Sequence, residues 1–266
     1  EPPARIIMAG SHTDGASNMM STMAAHLTDE YGSEFVASNC VLHFLSLLFA
    51  SPYLWCFIAT KNEDPSPLSL VKNLTWMFHD CINLDTWKRL IKHAIEDEVT
   101  QKRLMKALAD VILLTRWWTV QNAIVFVVLH WADVLLLVTL VAKGSELKEK
   151  EAALRVYEWM THYKWLRVQC LFLYCFIVHF HKWAMAYVQA NDDAKTKTAG
   201  FRAHRMARFF AWCLVTLESW LTEEKRRNSG QWKEYYDLRD TLPYKDQAAI
   251  EEQVDEFVAR AYNLAD

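Results

Sequence analysis

The chain has 266 residues, with 29 Lys plus Arg against 32 Asp plus Glu, for a net charge of −3. Apolar residues make up 52% and aromatics 13%, with twelve Trp but only six Gly and six Pro. These values exclude a protein built mainly to coat nucleic acid, as well as disordered, collagen-like and Gly-rich classes.

Gly and Pro are the strongest local breakers, and neither occurs between Leu68 and Lys143 or between Ser145 and Ala199. A β-rich domain would need turns every ~8–12 residues. The chain therefore reads as all-α. Its uneven hydropathy further predicts an integral membrane protein with about three transmembrane helices, long helical extramembrane extensions and an amphipathic interfacial helix.

Residues 1–34 form an extramembrane arm, and the start at Glu1 fits a processed precursor. Residues 35–60 contain no Asp, Glu, Lys or Arg and are long enough for the ~20 residues of a first span, with Pro52 as a kink point. Residues 61–116 read as extramembrane amphipathic helices. There Asp85 is expected to cap a helix whose Trp87, Ile91, Ile95 and Val99 share one face.

A second span is predicted over residues 117–142, interrupted only by the acid Asp133. Residues 143–190 read as a charged stalk helix running without a break into a third span. Trp165 and Trp183 bracket the apolar part of that span, about 27 Å apart on a helix, near the thickness of a bilayer's hydrocarbon. Residues 191–230 read as a basic interfacial helix, with Lys195, Lys197, Arg202, Arg205 and Arg208 on lipid headgroups and the aromatic residues after them in acyl chains. Residues 231–266 form an acidic helical tail built on Ile250, Val254, Phe257 and Ala261, expected to dock on a partner or on its own domain.

The common catalytic signatures are missing. No two glycines lie closer than five residues, which excludes the GxGxxG turn and the nucleophile elbow; no P-loop, HExxH or ExxH occurs. No metal site is expected. The six cysteines contain no CxxC pair and read as reduced, structural thiols.

Three ionisable groups at membrane depth stand out, because such groups are costly in hydrocarbon. His130 and Asp133 are three residues apart on one helix face, the arrangement of a proton relay. His179 lies mid-way along the third span. Two imidazoles from two helices at equal depth are what a bis-histidine haem requires, so His130 and His179 are the candidate pair for haem b or a quinone site in a membrane anchor.

The expected function is a non-catalytic accessory subunit of a large energy-transducing membrane complex, a respiratory chain complex or ATP synthase, in the mitochondrial inner membrane. Expected partners are the other subunits and the lipid bilayer, with bound phospholipid such as cardiolipin and no nucleic acid. The alternatives are the haem or quinone anchor and a proton or solute conductor through Asp133.

Overall fold

A computed structural model describes residues 10–13, 36–39, 48–49, 52–53, 56–57, 64–77, 84–112, 119–143, 149–191 and 203–265. Among these residues, apart from one parallel pair of four-residue strands, β1 (Gly10–Thr13) and β2 (Val36–Asn39), the fold is all-α. The helices are α1 (Pro67–Thr75), α2 (Leu84–Ala94), α3 (Glu98–Ile112), α4 (Thr119–Leu129), α5 (Trp131–Lys143) and α6 (Lys150–His162). They continue as α7 (Lys164–Phe176), a π-helical turn (Ile177–His181), α8 (Lys182–Asn191), α9 (Ala203–Glu218), α10 (Glu223–Asn228), α11 (Lys233–Arg239) and α12 (Tyr244–Ala265).

Local chemistry sets the early boundaries. Ser66 caps α1, its hydroxyl accepting the Ser69 main-chain N–H at 3.0 Å, with Pro67 following in the first turn. In α2, Trp87, Ile91 and Ile95 are buried as their four-residue spacing predicts, but Val99 is 74% exposed. The chain leaves the helix at Ile95, and the Asp97 carboxylate starts α3 by accepting the N–H groups of Thr100 (2.8 Å) and Val99 (3.3 Å). That new axis turns Val99 outward. Asp85, expected as a cap, lies inside the first turn of α2 and pairs with Lys88 at 3.2 Å.

The helices enclose two apolar clusters that meet along α7. Leu166 and Cys170 face a cluster built from α1, α2, α5 and α6, while Val168, Phe172 and Phe176 face a second one containing the C-terminal helices. A helix claimed on both sides must be apolar nearly all round. That explains why Lys164–Tyr187 is long and apolar enough to cross a membrane, and two thirds of its most apolar window is buried inside the chain. It is the core helix of the bundle.

The predicted spans are reshaped accordingly. In the first stretch, Val36–Asn39 pairs as a strand rather than continuing a helix, and Leu48, Phe49, Tyr53, Cys56 and Phe57 pack into the chain's own core. Pro52 is itself helical; the other residues of 35–60 lie outside the described set. The second stretch is not one straight helix: α4 and α5 meet at His130 at 93°. The bend sets Asp133 in the first turn of α5, where the helix dipole favours a carboxylate.

The stalk is also corrected. The helix breaks at Tyr163, whose φ of −101° and ψ of 80° are non-helical. Ala152, Ala153, Val156, Trp159 and Met160 form a buried stripe on α6, which packs along α5. With the chain turned at Tyr163, that stripe lies against α5 while α7 runs between the two apolar clusters.

At the other end, α12 docks on the chain's own domain. Phe257 stands edge-on to Phe172 (ring centroids 5.2 Å) and Phe176 (4.9 Å). The apolar face of α9, expected to enter acyl chains, instead packs Phe209, Cys213 and Leu217 into this core against α12. Arg226, near the end of the predicted 191–230 segment, and Arg239, within the acidic tail itself, are buried, and both donate to Glu251 of α12.

Candidate functional site

A cleft of about 610 Å³ lies where the π turn and α8 run beside α9. His179, Trp183 and Tyr187 recur every four residues and form one wall. Arg208, Trp212 and Thr216 recur at the same interval on α9 and form the other, with Phe209 beside them. Gln231 closes one end. It follows Gly230, whose φ of 71° lets the chain reverse after α10 and send Trp232 into the core.

Ring stacking fixes the walls. Tyr187 stacks on Phe209 at 5.7 Å, and Trp212 on Phe180 at 5.4 Å. Trp183, by contrast, is 67% exposed at the mouth, and Val215 on the outer face of α9 is 65% exposed. Burial lowers the pKa of His179, opposed by nearby Glu234 and by a hydrogen bond to the Gln231 main chain. Arg208 is exposed and supplies the fixed positive charge among the cleft-lining residues. Such a site can hold an elongated amphipathic molecule with an anionic end; its volume falls within the ~300–1,000 Å³ range of ligand pockets.

The π turn separates two histidines that lie close in sequence. His179 lines this cleft, whereas His181 is buried and lines a smaller cavity of about 290 Å³ with Gln121, Asn122 and Met185. Burial pushes the His181 imidazole down to about 4.

His130 and Asp133 do share a face. The His130 Nδ1 stands 3.7 Å from Asp133 Oδ2, and Arg103 of α3 donates to the same oxygen at 3.3 Å. His130 is lowered first by burial and then by Arg103, with Asp133 opposing. Asp133 is thus the partner of an arginine as well as of a histidine, a contact thirty residues away that spacing could not reveal. His130 belongs to this corner and His179 to the cleft, so the two have different surroundings. Among the described residues, no group of three or more His, Cys, Asp or Glu is placed to hold a metal ion.

Of the predicted headgroup contacts, Arg208 reaches the cleft. Arg205 lies on α9, but its side chain is outside the described set, as are Lys195, Lys197 and Arg202 entirely. Cys56, Cys170, Cys175 and Cys213 are buried free thiols, and burial raises each to about 12. The reading from sequence missed Tyr187, Thr216 and Gln231. The four-residue recurrence through 179–187 and 208–216 was available, but only tertiary packing brings the two sets together.

The chain matches no protein-family model, no curated protein and no solved structure. Fold and site define an all-α domain with an amphipathic cleft between two helices.

Proposed function

We propose that this chain is a non-catalytic accessory subunit of a large membrane complex, with the mitochondrial inner membrane and an energy-transducing complex as the setting. It is seated against the bilayer surface through α8 and α9, and it acts by stabilising assembly. The observation that supports this reading is the exposure of large apolar side chains on those helices, Trp183 at the mouth of the cleft and Val215 on the outer face of α9, with Tyr187 and Trp212 partly exposed between them. Each Å² of apolar surface left in water forgoes roughly 25 cal/mol, and an exposed aromatic group of this kind marks a surface that lipid or a neighbouring subunit covers. The well-packed interior behind it suits a rigid support.

Mild-detergent extraction of native membranes followed by a native gel tests this. The chain should migrate in a band far above its own 31.1 kDa. Its loss should reduce the amount of the complex more than the turnover of what remains. Migration as a small independent species, with the larger complex intact when the chain is removed, would overturn the proposal.

A further inference from the structure

We infer that the cleft between α8 and α9 binds an anionic phospholipid drawn from the bilayer, its phosphate on Arg208 and an acyl chain between the aromatic walls; this rests on the reading that this face is turned to the membrane. Charge is the first support. From Ala194 to Leu217 the sequence has no Asp or Glu, yet it holds Lys195, Lys197, Arg202, Arg205 and Arg208. Arg103, Arg226, Arg227, Arg239 and Arg260 all pair with carboxylates, whereas Arg208 has no ion-pair partner among the described residues. An exposed guanidinium held at the edge of an apolar cleft is placed to take a phosphate through charge-assisted hydrogen bonds.

The orientation follows from the two ends of the cleft. Tyr187 stacks on Phe209 beside Arg208, whereas His179 lies two helical turns from Tyr187 with Gln231, so the fixed positive charge sits at one end of the cleft. The cleft therefore carries charge complementary to an anion at its Arg208 end and aromatic surface along Tyr187 and Trp212. Its volume of about 610 Å³ accommodates a chain of methylenes rather than a headgroup alone. A free phosphate would leave the aromatic walls in water, and a neutral lipid would leave Arg208 without a counter-charge.

The test uses the purified full chain, with no partner present, and vesicles of phosphatidylcholine with or without phosphatidylglycerol brominated on its acyl chains. The anionic vesicles should bind more tightly and quench tryptophan fluorescence, and Trp183→Phe with Trp212→Phe should remove most of that quenching. Arg208→Gln should weaken binding about fivefold, the effect of roughly one basic residue at a charged membrane surface. Arg89→Gln, an exposed arginine on α2, should leave binding unchanged.

Equal binding to both vesicle types would overturn the inference. Equal losses in the two arginine variants would also overturn it, by showing only diffuse charge attraction. Binding without quenching would place lipid outside the cleft and leave that face to a protein partner. Should the chain enter a large native complex yet fail these vesicle measurements, the lipid site falls and the accessory role stands.

Discussion

Arg226, fully buried, donates from Nη2 to Oε1 of Glu251 at 2.5 Å and so joins α10 to α12 across twenty-five residues. Glu251 is the centre of a wider set. Its other oxygen accepts from Arg239 and from the Tyr235 hydroxyl at 3.0 Å, and Tyr236 donates to Oε1 at 3.3 Å. Arg226 also donates to Asp255 and to the Trp220 carbonyl, so its donors are matched to acceptors on several elements. A buried charge left without its partner is costly. Arg226→Met should therefore destabilise the chain by about 3–5 kcal/mol in urea unfolding, and Glu251→Gln by a similar amount. The double variant should lose less than the sum of the two. Additive losses would show that the pair does not act as a unit.

Phe257 is the apolar counterpart of that lock. Its ring touches those of Phe49, Phe57, Phe172 and Phe176, with no exposed surface. Phe257→Ala should cost about 3–5 kcal/mol, whereas Leu264→Ala, near the exposed end of the same helix, should stay within ~0.5 kcal/mol. Chemical denaturation midpoints compare the two. A small effect at Phe257 would mean that α12 is not part of the folded core.

The interruption at Tyr163 has its own signature. Lys164 is the first residue of α7, a position where a missing N–H and a fixed φ suit a helix start. Lys164→Pro should therefore leave thermal stability within about 1 kcal/mol of the parent. Tyr157→Pro, in the middle of α6, should cost ~3 kcal/mol or more. If Lys164→Pro is as damaging as Tyr157→Pro, the helix runs unbroken through 163.

Acid sensitivity should trace to His181. Burial holds its imidazole down to about 4, below the ~6.5 of an unfolded chain. Between those values the unfolded state binds the proton and the folded state does not, so stability falls as pH drops from ~6.5 to about 4 and changes no further below that. The loss should approach about 3 kcal/mol, and His181→Leu should flatten the slope of unfolding free energy against pH in this window. An unchanged slope would assign the acid sensitivity to other groups.

Ser66 gives a local test. Its hydroxyl is the cap of α1, and Ser66→Ala should cost about 1 kcal/mol. Thr222→Ala, removing a longer 3.4 Å cap on α10, should cost less. The order of the two in thermal unfolding checks the geometry.

Helix content was legible because it follows from what the sequence lacks, namely glycine and proline across long stretches, and from three- and four-residue recurrences such as Trp87–Ile91–Ile95 and Ile250–Val254–Phe257. The pairing of His130 with Asp133 was legible from their three-residue spacing, although His130 sits at the bend and Asp133 in the first turn of α5. Arg103, Glu251 and the opposing walls of the cleft were not legible. Each depends on contacts between residues far apart in the chain, and local periodicity carries no information about them.

Hydropathy by itself determined which stretches avoid water, but it is the same for a helix in hydrocarbon and a helix in a protein core. Tertiary structure decided that Lys164–Tyr187 is covered on two sides by the chain's own side chains, and that 121–143 bends at His130. It also decided that Arg226 and Arg239 are buried against Glu251. The physical reason is common to all three: apolar area and charge are satisfied by whatever packs against them, and that partner is set by how the whole chain folds back on itself.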